Sequence, residues 1–144
     1  MPMIDVFAAA DLFPADSDRQ LGEELTLAVL RAEGVSNPSA FLLDNTAAYI
    51  HRVAPTAVQT AATPQARTVR VQITTPPGAL NRDGQKQIVK EATEIVSRIS
   101  GDASQAKRTW VILVEAAEGG WGMFGTAFGH MEFAAAKGDR KSVV

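Results

Sequence analysis

Pro2 is the residue with the most chemistry to offer. A penultimate proline permits removal of the initiator methionine, and the product would carry a secondary amine at the start of an apolar segment, Met3 to Phe7. Burial disfavours the charged form of an amine and draws its pKa toward neutrality, which makes it a candidate general base. With Met1 retained, the same nitrogen is an amide without a basic lone pair, and Met-Pro is also an ordinary start without chemical meaning. A second feature is Gly119-Gly120-Trp121-Gly122, which follows the apolar run Thr109 to Glu115 and can hold an indole at the wall of a cavity. A carboxylate substrate calls for a guanidinium, which binds it bidentately. Arg82, Arg70, Arg52, Arg67 and Arg108 are candidates, each also readable as a solvated or contact residue. His51, in Tyr49-Ile50-His51, is a candidate acid or hydrogen-bond donor and equally a strand-end histidine satisfied by its surroundings. Trp110 and Trp121 are candidates to pack a substrate's apolar part, and both also read as core.

Composition narrows the field. The chain has 144 residues, 14 Lys plus Arg against 16 Asp plus Glu, and a net charge of −2. There is no basic excess to neutralise a phosphate backbone, so nucleic acid is not the expected partner. Without cysteine, and with His51 and His130 as the only imidazoles, neither a metal site nor a disulfide framework is expected. The start has no basic leader, and no apolar run is long enough to span a bilayer, so the expectation is a cytoplasmic protein without membrane attachment.

The elements that must position these residues come in two copies. Shifted by 67 residues, the chain superposes Asp16 on Asp83, Gln20 on Gln87, Glu24 on Glu91, Thr26 on Thr93, Val29 on Val96, Arg31 on Arg98 and Gly34 on Gly101. We read a duplication. Each copy opens with a short strand, Met3 to Phe7 or Val69 to Ile73. A helix follows: Leu21, Leu25, Ala28 and Ala32 recur at helical spacing in the first, Ile88, Ala92, Ile95 and Ile99 in the second. Pro14 marks the approach to helix one, Asn81 is the N-cap candidate of helix two, and Gly34 and Gly101 sit where helices stop. Gly22 weakens the first helix locally. Asp16 and Asp18 read as helix-start charges and Asp5 as a strand-end charge. Second strands follow at Ala47 to Ile50 and Thr109 to Glu115.

The expected fold is therefore α/β (α+β): two tandem β-α-β units forming a four-stranded mixed sheet with both helices on one face. The boundaries are unit one at about 2–53, a connector of loop or small hairpin at 54–67, unit two at 68–135 and a tail from 136 to 144, all within one domain. The strands do not alternate cleanly between apolar and polar residues, so the face away from the helices should be covered by further copies of the chain.

With Pro2, the duplicated unit and the Gly-Trp-Gly turn in place, the sequence resembles the tautomerase superfamily. The likeness is to a fused, double-length relative of 4-oxalocrotonate tautomerase, with an end, Trp121 through Phe133, similar to that of malonate semialdehyde decarboxylase. The resemblance implies a homotrimer without cofactor, a catalytic amine on Pro2 and a cavity residue at Trp121. It implies one such site per chain, because Val69 holds the equivalent place in the second copy. Where the family carries an arginine before its second helix this chain has Asn81, with Arg82 adjacent; where the family has one early in the last strand, it has Trp110. The implied reaction is proton transfer on a small 2-oxo acid or enol, with a monocarboxylate or aromatic enol favoured over a dicarboxylate. The alternatives are hydration, dehalogenation or decarboxylation with protonated Pro2 as acid, or a non-catalytic oligomeric binding module.

Overall fold

The structure is a computed structural model that describes residues 1–138. Strand β1, Met3–Ala9, leads into helix α1, Asp18–Ala32; a short helix α2, Ala40–Asp44, precedes strand β2, Ala47–Val53. The second half repeats the order with β3, Val69–Thr75, α3, Arg82–Ser100, and β4, Thr109–Glu115. A hairpin of β5, Trp121–Met123, and β6, Thr126–Phe128, and a helix α4, His130–Gly138, complete the fold. The sheet runs β2-β1-β3-β4, with β1 parallel to β2, β3 parallel to β4, and the two units joined by an antiparallel β1–β3 pair. This is the expected mixed sheet of two β-α-β units.

Alternation along the strands decides which face is dry. Ile4, Val6, Ala8, Val69, Val71 and Ile73 are buried with Leu21, Leu25, Ala28, Ile88, Ala92 and Val96 of the two helices. The opposite face carries Met3, Asp5 and Phe7, then Tyr49 and His51, Arg70 and Gln72, and Trp110, Ile112 and Val114, as the strand registers require. Tyr49, Trp110 and Ile112 are 54%, 50% and 42% exposed, so a large part of this open face is bare apolar surface.

Helix ends follow local chemistry. Asn81 Oδ1 accepts the Gly84 amide at 2.8 Å, an N-cap as expected, and Gly101 closes α3 with φ of 76°. Helix α1 begins later than Pro14 suggests, because the Pro14 carbonyl accepts both the amide and the hydroxyl of Ser17, closing a turn first. Gly84 is required where the helices meet: a Cβ there would lie 2.5 Å from the Ala32 carbonyl oxygen. In the connector, a 3-10 turn at Pro55–Ala57 is followed by paired Thr60–Thr63 and Val58–Ala66 backbone bonds, a small hairpin. Two elements depart from expectation. Helix α2 has no periodic stretch long enough to betray it and is held by its ends, Ser39 Oγ accepting the Leu42 amide at 3.2 Å and the Asn45 and Thr46 side chains donating to the Phe41 and Leu42 carbonyls at 2.9 and 2.7 Å. Helix α4 runs on to Gly138 where a tail is expected; the rest of that tail lies outside the described residues.

Candidate active site

Pro2 lies at the start of the inner strand β1, its side chain fully buried, and its carbonyl accepts the Ala47 amide at 3.2 Å. The amino group of Met1 stands 3.6 Å from Glu33 Oε1, and both residues' side chains are nearly enclosed, at 11% and 7% exposure. Burial holds this amino group below its ordinary pKa, with the Glu33 charge opposing the shift. Burial pushes the Glu33 carboxyl above its ordinary value, with the amino group opposing. Glu33 caps the C-terminal end of α1, next to Gly34 in the left-handed region.

The same end of the molecule gathers the start of α3. Gly84 packs on the Ala32 carbonyl, which brings Arg82, the first residue of α3, to the end where Met1, Pro2 and Glu33 lie. Arg82 is exposed and, among the described residues, its guanidinium meets only Gln85 Oε1, at 3.3 Å. At the last residue of β4, Glu115 accepts the Gly78 amide and fixes the loop between β3 and α3. The hairpin leaves from this end, and Trp121, which opens it, is buried at 7% exposure. Its turn puts Phe124 and Gly125 both at positive φ.

The remaining sequence candidates assemble elsewhere. Within one chain, His51, Arg70 and Trp110 form a row across the open face, five residues down the sheet from Pro2, roughly 17 Å at 3.4 Å per residue. His51 Nε2 is 2.7 Å from Asp5 Oδ1, its ring stacks on Phe7 at 4.2 Å, and the Arg70 guanidinium lies over Phe7 at 4.5 Å. Asp5 is thus a mid-strand partner of His51 rather than a strand-end charge. Arg52 is committed to structure, bonding Asp18 and the carbonyls of Ala10, Phe13 and Pro14. Arg67 pairs with Asp11, and Arg108 with Asp102. Of the five arginines, Arg82 alone sits at the Pro2 end.

Two grooves related by the duplication run between each helix and its outer strand. One of 870 Å³ lies between α1 and β2, and one of 760 Å³ between α3 and β4, bordered by Arg82, Lys86, Val89, Lys90 and Leu113. Among the described residues no group of three or more Asp, Glu, His or Cys is placed to hold a metal ion, and no helix is long and apolar enough to cross a membrane.

Sequence reasoning missed Glu33. The signal that could have found it is an asymmetry of the repeat: at the shift of 67 residues, Glu33 falls on Ser100 just as Pro2 falls on Val69.

No family model and no curated protein sequence matches the chain. Solved structures do match. A fused 4-OT described as a symmetric trimer superposes with a TM-score of 0.74 at 18% identity, over 91% of this chain and 98% of that one. Pt0534 inactivated by 2-oxo-3-pentynoate gives a TM-score of 0.71 at 15% identity, over 93% and 97%. A member of the cis-3-chloroacrylic acid dehalogenase family gives 0.70 at 11% identity, over 98% and 97%. Near-complete coverage of these chains, together with the β2-β1-β3-β4 sheet, establishes that the protein has the fold of the fused 4-OT structures.

Proposed function

We propose that the protein is a cofactor-independent tautomerase in which Pro2, freed by removal of Met1, is the general base. The observation that carries this reading is the burial of the chain start: Pro2 is fully buried at the head of an inner strand, and burial there holds the neighbouring Met1 amino group below its ordinary pKa. A free Pro2 nitrogen in that place takes the proton α to the carbonyl of a small 2-oxo acid. The electron pair moves into the enolate, and the resulting ammonium returns the proton at a different atom. Arg82, uncommitted and at the same end, binds the substrate carboxylate. Trp121 forms an apolar wall. The favoured substrate is a monocarboxylate or aromatic enol such as phenylenolpyruvate, since Trp110 and Asn81 stand where the family resemblance would place arginines. No step calls for a metal or organic cofactor.

The working form is proposed to be a homotrimer. The bare apolar surface at Tyr49, Trp110, Ile112 and Val114 supports it, as does the trimer named for the similar fused 4-OT. Neighbouring copies would bring open-face residues such as His51, Arg70 and Trp110 toward sites they do not reach within their own chain.

Intact-protein mass reads whether Met1 is gone, and enol-to-keto conversion reads the chemistry. The processed chain is expected to turn over, and a Met1-retaining or terminally acylated chain of unchanged assembly is expected to be inactive. Full activity with the terminus blocked would overturn the proposal.

A further inference from the structure

Glu33 is a carboxylate that the reaction above leaves unused and that the fold nonetheless buries. Its surroundings make it costly. It stands at the C-terminal end of α1, where the helix dipole disfavours an anion, and its side chain is only 7% exposed. Neither arginine near this end neutralises it: Arg31 pairs with Glu91, and Arg82 is exposed with its guanidinium at Gln85. Among the described residues the chain amino group is its one ion-pair partner. Other charged groups at this end include Asp83, in the favourable first turn of α3, Lys86 on the next turn, Asp44 at the end of α2, Glu115, which accepts the Gly78 amide, and Glu118, which accepts the His130 amide.

The duplication supplies an internal control. The second copy has Val69 in place of Pro2, where no amine can form, and Ser100 in place of Glu33. Ser100 Oγ is turned back on its own helix, donating to the Ser97 carbonyl at 2.8 Å. The buried carboxylate thus stands at this helix end in the copy that opens with Pro2, and a hydroxyl stands in its place in the copy that opens with Val69.

We propose that Glu33 is the counter-ion of the Pro2 amine: with Met1 removed, its carboxylate pairs with the Pro2 ammonium and holds it oriented while the proton is carried between the two substrate atoms. The inference rests on the reading of Pro2 as the base. Pro2 nitrogen is the next backbone nitrogen after the one now 3.6 Å from Glu33, about one residue's length (~3.5 Å) further on. The substrate's enol O–H gives its proton to the Pro2 lone pair, the O–H electrons form the carbonyl as the C=C pair turns to carbon, the ammonium so formed rests against Glu33, and its N–H bond then breaks as that carbon takes the proton. Nothing is oxidised or reduced. Glu33 touches no reacting atom of the substrate and is a positioning residue.

The test is a titration of the Pro2 amine by ¹⁵N NMR in the Met1-free, ¹⁵N-proline-labelled chain, without substrate. Glu33→Gln is expected to lower the amine's pKa by about one unit or more, because an opposite charge within hydrogen-bonding range is lost. The rising, acid-side limb of the pH–rate profile, which reports the free-base amine, is expected to move to lower pH with it. Glu33→Asp, which withdraws the carboxylate by one methylene, is expected to produce a smaller fall and serves if the glutamine variant does not fold. An amine pKa unchanged in either variant would overturn the proposal, whatever the activity. A shifted amine in a protein that turns over no enol would support the pairing with Glu33 and instead overturn the tautomerase reading.

Discussion

Arg31 reaches across from α1 to Glu91 of α3, Nη2 to Oε2 at 3.2 Å, and 67 residues further on Arg98 reaches back from α3 to Glu24 of α1. The partners exchange under the repeat, Arg31 with Arg98 and Glu24 with Glu91, so the two ion pairs are one interaction made twice across a pseudo-twofold axis. Each also holds a glutamine one turn earlier: Gln20 Nε2 donates to Glu24 at 3.0 Å and Gln87 Nε2 to Glu91 at 3.2 Å. The pairing ties the residues that betray the duplication in the sequence to the seam that packs the two helices together.

These pairs are half-exposed, and each is expected to contribute little to stability, less at high salt. The Arg98 guanidinium holds the Glu24 carboxyl below its ordinary range, mainly by its hydrogen bond. A carboxylate with a depressed folded pKa contributes stability that is present above the unfolded value and is lost as pH falls through the folded value. Urea unfolding across the acid range is expected to show that loss, and Arg98→Met is expected to flatten it. Equal acid sensitivity in the variant would contradict the assignment.

The two helical glycines are expected to respond oppositely to alanine. A Cβ at Gly22 would rest 3.5 Å from Ala48 Cβ, an ordinary contact, so Gly22→Ala is expected to stabilise by about 0.5–1 kcal/mol through helix propensity. At Gly84 the new carbon would meet the Ala32 backbone, and Gly84→Ala is expected to cost about 1–3 kcal/mol as the helices are forced apart. Denaturant midpoints of the two variants decide it; the same sign in both would be inconsistent with the packing described.

If Arg82 anchors the substrate carboxylate, Arg82→Ala is expected to lower kcat/KM by an amount equivalent to about 1.5–3 kcal/mol, the value of a hydrogen bond to a charged group. Unchanged kinetics would return Arg82 to the solvated surface. A clear preference for a dicarboxylate over phenylenolpyruvate would place the anchors elsewhere.

The exposed aromatic and aliphatic row on the open face gives the assembly its own test. A charge at its centre, Ile112→Lys, is expected to release monomers without unfolding them, because Ile112 is 42% exposed within the chain. Light scattering on the parent protein is expected to give a trimer. A parent that is monomeric at micromolar concentration would end the trimer proposal.

Much of this was legible in the sequence because the duplication is written in residues that touch. Helix faces, the Asn81 cap and strand β4 follow from periodicity and local side-chain chemistry, which do not depend on distant parts of the chain. Helix α2 was not legible, since five residues with one serine cap carry too little pattern. Nor was the fate of Arg52, drawn into three carbonyls by a turn whose path depends on the whole β1–α1 junction. His51 and Asp5 lie 46 residues apart in sequence, and only the register of β1 against β2 brings them together. Glu33 was hidden for a similar reason: its environment is made by the first residues of the chain and the start of α3, neither adjacent to it in sequence.

The connector between Val53 and Val69 has an arithmetic consequence. It joins a copy that starts at Pro2 covalently to a copy that starts at Val69, so the two kinds of strand opening are made in strict one-to-one stoichiometry, whatever the assembly. Separate short subunits would leave every copy free to present its own first residue. Here the second copy has no first residue to present at the corner of the sheet where Val69 begins. Its surroundings have been given over to clamps, Arg67 on Asp11 and Arg108 on Asp102.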